Sequence, residues 1–366
     1  MESAVPVPVR PAIAELTAYK PGRSAADLAR ELGLPAAIKL ASNEIAYPPL
    51  PSVVAAIAEA ACIINRYPDN GSTELTAVLA ERFALPVESI AVGCGSVSLC
   101  QQLVQSYAGP GDEVLFGWRS FEAYPLVITV AGATLRPVPL LDQTHDPDAM
   151  VAAMTEATRL IFVCNPNNPT GTALGRAAMN SLLDAVGPDI LVVIDEAYRE
   201  FVTDPDIPDG RELMRGRSNV GVLRTFSKAY GLAGLRVGYL LAENPEIATA
   251  VRKTYVPFSV STLAQVAALA SLAAEDEMRE RVAAVVSERE RVSAALTDLG
   301  LPVPASHANF VWLPLGAGGL DFAGFCEARG VIVRPFAGDG ARVTIGSPVE
   351  NDAFLSAFAD WQAPRN

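Results

Sequence analysis

Between residues 89 and 242, short apolar runs alternate with helical patterns. The strand-like runs are SIAVGC (89–94), DEVLFG (112–117), RLIFVC (159–164), DILVVID (189–195), NVGVLRTF (219–226) and RVGYLLA (236–242). Residues 97–107, 148–155 and 175–186 carry helical spacing. Strands that are apolar throughout are buried on both faces. Separated by helices, they predict an α/β fold with a mainly parallel sheet sandwiched by helices. The last run follows its predecessor after only a short segment, which fits an antiparallel strand there.

The pattern changes after residue 257. An alanine-rich helical stretch runs from about Leu263 to Leu299, with a break near Glu275. Three short strands follow: NFVWLPL (309–315), GVIVRPF (330–336) and ARVTIG (341–346). These predict a smaller α+β domain. Residues 1–46 are rich in proline, with one short helical pattern from Ser24 to Leu32, and read as an arm. The expected division is an arm at 1–46, a large domain at 47–257 and a small C-terminal domain at 258–366.

Composition narrows the function classes. The 366 residues are 50% apolar and 19% charged, enough for a sizeable core. A formal net charge of −13 argues against nucleic acid and anionic membranes as partners. Five cysteines without a C-x-x-C motif fit a reduced, cytoplasmic protein with buried thiols. The N-terminus has no apolar signal core, and no run of about 18 apolar residues predicts a membrane span. Two histidines, His145 and His307, are too few for a His-rich metal site, and no metal is expected. Neither lies in a recognisable motif, and both read as structural or surface residues.

In open α/β sheets, ligands gather at the carboxyl ends of the strands. Asn165-Pro166-Asn167-Asn168-Pro169-Thr170-Gly171 follows the first of three central strands. Asp195-Glu196-Ala197-Tyr198 ends the second, and Ser227-Lys228 with Gly234-Leu235-Arg236 follows the third. Taken singly, Asp195 fits a helix cap and Lys228 a solvated surface group. The ordered set is more specific. With the strings NPNNPTG, IDEAY and TFSKAYGLAGLR, the chain resembles the fold-type I pyridoxal-phosphate (PLP) aminotransferases from about Tyr19 to Gly346. Within them it resembles the branch of histidinol-phosphate and aromatic amino acid aminotransferases. RYPDNG, VGCGSVSLCQQL and GWRSFEAYP are most similar to the phenylalanine or aromatic enzymes.

The resemblance implies a role for each matching residue. PLP is an electron sink that the protein orients and tunes. Lys228 would bond to it covalently, and its freed amine would then move the substrate Cα proton. Asp195 would pair with the pyridinium nitrogen and keep it protonated. Asn168 and Tyr198 would hydrogen-bond the ring hydroxyl. Gly95, Ser96 and Val97, at a helix start, would offer backbone N–H groups to the phosphate, joined by Ser227 and Arg236. The same string also fits a plain glycine turn with Ser96 as N-cap. Tyr67 of the other subunit would reach that phosphate, which implies a homodimer. Phe121 stands where the family usually has a tyrosine and would stack on the ring. Arg342 would clamp the substrate carboxylate, with Arg334 on the neighbouring strand. Tyr19 and Asn43 would close the pocket from the arm, and Asn309 is a weaker candidate.

The expected reaction moves an amino group between aromatic L-amino acids and 2-oxoglutarate. Trp118, Phe121, Tyr255, Phe258 and Tyr19 are expected near the site and suit an aromatic ring. The alternative is histidinol-phosphate aminotransferase. Decarboxylases, lyases and C–C bond-forming transferases of this fold share Lys, Asp and Arg. A non-catalytic regulator would have lost one of those three. A nicotinamide dehydrogenase would need a third glycine in GCGSVSL.

Overall fold

The computed structural model describes residues 7–17 and 23–363. Tyr19 therefore lies outside the described residues. The strands, in chain order, are β1 (Ile38–Leu40), β2 (Ile90–Gly93), β3 (Glu113–Trp118), β4 (Thr134–Pro139), β5 (Thr158–Cys164), β6 (Leu191–Asp195), β7 (Val220–Thr225), β8 (Gly238–Ala242), β9 (Phe310–Leu313), β10 (Val331–Phe336) and β11 (Gly340–Thr344).

Seven strands form one sheet in the order β2-β8-β7-β6-β5-β3-β4. Only β8 runs antiparallel, against both β2 and β7. The short connection after β7 permits that reversal, because only parallel neighbours need a long crossover. Every residue of β6 and β7 is buried. Burying each large aliphatic side chain contributes about 1.5–3 kcal/mol, so polar groups are confined to the strand ends. The order β7-β6-β5 sets Thr225, Asp195 and Cys164 side by side at one edge. The antiparallel β8 returns there: Gly238 pairs with both Thr225 and Gly93. Arg236, just before β8, and Gly95, just after β2, thus join the same edge.

The second sheet has the order β1-β10-β11-β9. β1 comes from the segment read as an arm and pairs parallel with β10, Lys39 opposite Ile332. The long helical stretch divides as expected: helix Thr262–Ala273 ends at Ala274 and helix Glu275–Asp298 follows. Both Arg82 guanidinium nitrogens hold the Glu275 carboxylate at 2.6 Å, fixing the start of the second helix. The first of these helices packs on helix Pro51–Ala60.

Two sequence expectations need correction. β4 was not foreseen: TLRPVP carries two prolines and little apolar alternation, as an edge strand tolerates. The cysteines are all free, but Cys62 is exposed and Cys94 only half-buried.

Candidate active site

At the shared strand edge lies a cavity of about 210 Å³. Asn43, Ser96, Val97, Phe121, Asn168 and Asp195 line it, with Tyr198, Ser227, Lys228, Arg236, Arg334 and Arg342. Twelve residues singled out in the sequence therefore meet in one place.

The floor is built around Asp195. Strand alternation turns neighbouring side chains to opposite faces. Asp195 faces the cavity, while Glu196 turns away to Arg224 at 2.7 Å and the Gly210 N–H. Asp195 Oδ2 accepts from Tyr124 Oη at 2.7 Å, and Oδ1 is buried without a hydrogen-bond partner among the described residues. Burial lifts this carboxyl to about 6, against the pull of the Tyr124 hydroxyl. An orphaned, desolvated carboxylate oxygen is matched by a cationic N–H donor such as a pyridinium.

Lys228 stands over the same floor. Its Nζ donates to the Ser42 carbonyl at 3.2 Å and lies 5.9 Å from the Tyr198 ring centroid. Burial, and then the nearby Arg342 charge, bring its amine down to about 7. A lysine in that range can hold or release a proton near neutrality.

Helix Gly95–Tyr107 supplies an anion cradle. Cys94, not Ser96, is its N-cap, and no side chain of the described residues caps it, which leaves first-turn N–H groups for a ligand. Gly95 has φ +76, and a Cβ there would collide with the Arg236 guanidinium. A Cβ on Gly238 would come 2.8 Å from the Ser96 nitrogen. Both glycines let helix, strand and arginine converge. Arg236 donates to the Ala233 carbonyl at 2.9 Å and Ser227 Oγ at 3.4 Å. One guanidinium, one hydroxyl and free helix N–H groups fit a phosphate.

The opposite wall is the second sheet. Arg342 and Arg334 are register partners on β11 and β10, so both point the same way. Arg342 donates to Asn168 Oδ1 and to the Ala41 carbonyl, the latter at 2.7 Å. Asn43 adopts φ +54, and its Nδ2 donates to Tyr198 Oη at 2.9 Å. Asn309 stands behind it, donating to the Asn43 carbonyl at 3.1 Å.

Other placements differ from the expectation. Trp118, Tyr255 and Phe258 do not line this cavity. Trp118 lies under Arg119, Tyr255 lines a separate cavity, and Phe258 stacks on Tyr67 at 4.6 Å on the surface. Tyr67 is 82% exposed and away from its own chain's cavity. Tyr124 and Glu122 were missed, although both lie in the string GWRSFEAYP. Tyr124 stands three residues beyond Phe121, and their rings meet edge to face at 5.5 Å. A larger cleft of about 860 Å³ holds none of the expected residues. Its five arginines are all tied to carboxylates.

The arrangement agrees with the comparisons to known proteins. Residues 35–358 match the family model described as aminotransferase class I and II. The chain belongs to the class I and II aminotransferases. It is 58% identical to an aromatic amino acid aminotransferase of Mycobacteroides abscessus over 98% of this chain and 100% of that one. It is 56% identical to one of Thermobifida fusca, over 97% of this chain and 98% of that one. Among solved structures, histidinol-phosphate aminotransferase from Sinorhizobium meliloti, in complex with pyridoxal-5′-phosphate, superposes with a TM-score of 0.88 at 28% identity, covering 98% of each chain.

Proposed function

We propose that this aminotransferase moves the amino group between aromatic L-amino acids and 2-oxoglutarate, giving aromatic 2-oxo acids and L-glutamate, with pyridoxal 5′-phosphate as cofactor. The observation that carries the cofactor is the buried, unpartnered Asp195 Oδ1 facing the Lys228 cavity beside an anion cradle. When bound, the cofactor supplies an electron sink for the electrons left at the substrate Cα.

Lys228 would carry the cofactor and, once its amine is freed, would take the proton from substrate Cα, for which an amine near neutrality is suited. Asp195 holds the proton on the ring nitrogen, with Tyr124 fixing its orientation. Asn168 and Tyr198 orient the ring hydroxyl, and Phe121 covers one face. Gly95, Ser96, Val97, Ser227 and Arg236 hold the phosphate. Arg342 grips the α-carboxylate common to both substrates, and Arg334 and Asn43 close the pocket.

We read the protein as a cytoplasmic homodimer in which Tyr67 reaches the partner's phosphate. Support comes from the apolar surface around Tyr67. Ile63, Ile64, Val256 and Phe258 are all exposed there, more than a soluble monomer needs to leave in water. Gln265 and Asn70 tie the Tyr67 loop to the Phe258 loop, making one patch. Among the described residues no helix is long and apolar enough to cross a membrane.

Aromatic substrates are favoured over histidinol phosphate by the 58% and 56% identical relatives, against 28% for the histidinol-phosphate enzyme. Competition kinetics test the choice. Phe or Tyr should be turned over with a kcat/KM at least comparable to that of histidinol phosphate. A preference for the phosphate ester of about a hundredfold, or roughly 2.7 kcal/mol of transition-state binding, overturns the reading.

A further inference from the structure

The cavity contains a negative charge that none of the roles above uses. Glu122 lies between Phe121 and helix Ala123–Ala131, and its Oε2 accepts from Arg334 Nη2 at 2.9 Å. Both residues line the cavity. Their side chains are 34% and 20% exposed, whereas Arg342 is buried. The cavity therefore has a deep arginine for one carboxylate and, nearer solvent, a second arginine that already holds a carboxylate from its own chain.

We propose that Glu122, paired with Arg334, is a specificity-determining residue that discriminates against a second anion on the substrate. This rests on the reading of the cavity as an amino-acid site. An aromatic side chain meets the Glu122–Arg334 pair as a neutral unit and loses nothing to it. A distal carboxylate must share Arg334 with Glu122 and feels repulsion from it. A phosphate monoester, with nearly two charges, feels more. The pair thus lets dicarboxylates in with a penalty and penalises phosphate esters most. Repulsion of the wrong ligand is a common source of specificity.

A second ion pair supplies an internal control. Arg119 Nε donates to Asp339 Oδ2 at 2.7 Å, joining the same two segments with opposite polarity. Neither residue lines the cavity. If Glu122 mattered only as a strap between segments, breaking the Arg119–Asp339 pair would have the same consequences.

The test uses the PLP-loaded enzyme and measures dissociation constants for 3-phenylpropionate, glutarate and 4-phosphonobutyrate by spectral titration. Glu122→Gln should tighten glutarate relative to 3-phenylpropionate by about tenfold, and 4-phosphonobutyrate by more. Asp339→Asn should change all three ligands by a common factor. In an Arg334→Gln background Glu122 keeps its charge without its partner, so Glu122→Gln should shift the glutarate ratio at least as far. Glu122 precedes the helix as an N-cap without a side-chain cap bond, so Glu122→Ser is a second neutral variant compatible with folding. Unchanged ratios in the neutral variants overturn the proposal. So does the same ratio change in Asp339→Asn, or no shift without Arg334. The ratios compare variant with wild type and hold whichever substrate wild type prefers. A failed aromatic reading is seen separately, in wild-type competition kinetics.

Discussion

Replacing Asp195 by asparagine tests the floor of the site through stability as well as activity. Asp195 is 2% exposed with Oδ1 unpartnered, and burial lifts its carboxyl from 3.8 to about 6. Because the folded value is raised, the ionised group opposes folding above about pH 6. The opposition fades as pH falls toward 3.8. At about 1.36 kcal/mol per pH unit, the full penalty is roughly 3 kcal/mol, and about half of it is relieved by pH 5. Asparagine has no such dependence. It keeps an acceptor for Tyr124 but brings N–H donors into a buried place, at a cost of about 1–3 kcal/mol. In the apoenzyme, Asp195→Asn should therefore equal or exceed wild type at pH 8. Its advantage should shrink by roughly 1.5 kcal/mol at pH 5. Calorimetric Tm values for both proteins at each pH read the gap. Saturating PLP should reverse the order at pH 8, because a pyridinium pairs with the carboxylate and gains less from the amide. A gap that does not change between pH 5 and pH 8, or PLP stabilising both proteins alike, refutes the account.

Three further outcomes follow from the site. With its amine brought down to about 7, Lys228 in the apoenzyme should react with an acylating reagent along a curve rising through about pH 7; a midpoint near 10 contradicts the burial argument. Lys228→Ala should also lose the visible band that borohydride bleaches, with kcat down by at least about 10²–10⁴-fold. Tyr67→Phe should weaken PLP retention by roughly 1–2 kcal/mol in equilibrium dialysis, the loss of one hydrogen bond to a charged group; sedimentation of a fully active monomer would exclude a partner's tyrosine.

The central strands were legible because they are buried on both faces and so apolar along their whole length. Their polar ends stood out against that background, which is how Asn168, Asp195 and Lys228 could be picked from the chain. β8 was legible as antiparallel because its connection is too short for a crossover. β4 and β1 were not legible. One is a proline-bearing edge strand, the other three residues long, and each is a strand only because a neighbour supplies its hydrogen bonds. Motif order named the residues of the cavity, but their mutual contacts belong to the tertiary structure. Arg334 faces the cavity beside Arg342 because β10 and β11 are in register. Tyr124 supports Asp195 because helix Ala123–Ala131 brings its hydroxyl to a carboxylate 71 residues further along the chain. Glu122 holds Arg334 across 212 residues of chain. Periodicity records which face of an element meets the core. Which element lies opposite is decided by packing, and the pairing of charges across the cavity exists only once that packing is complete.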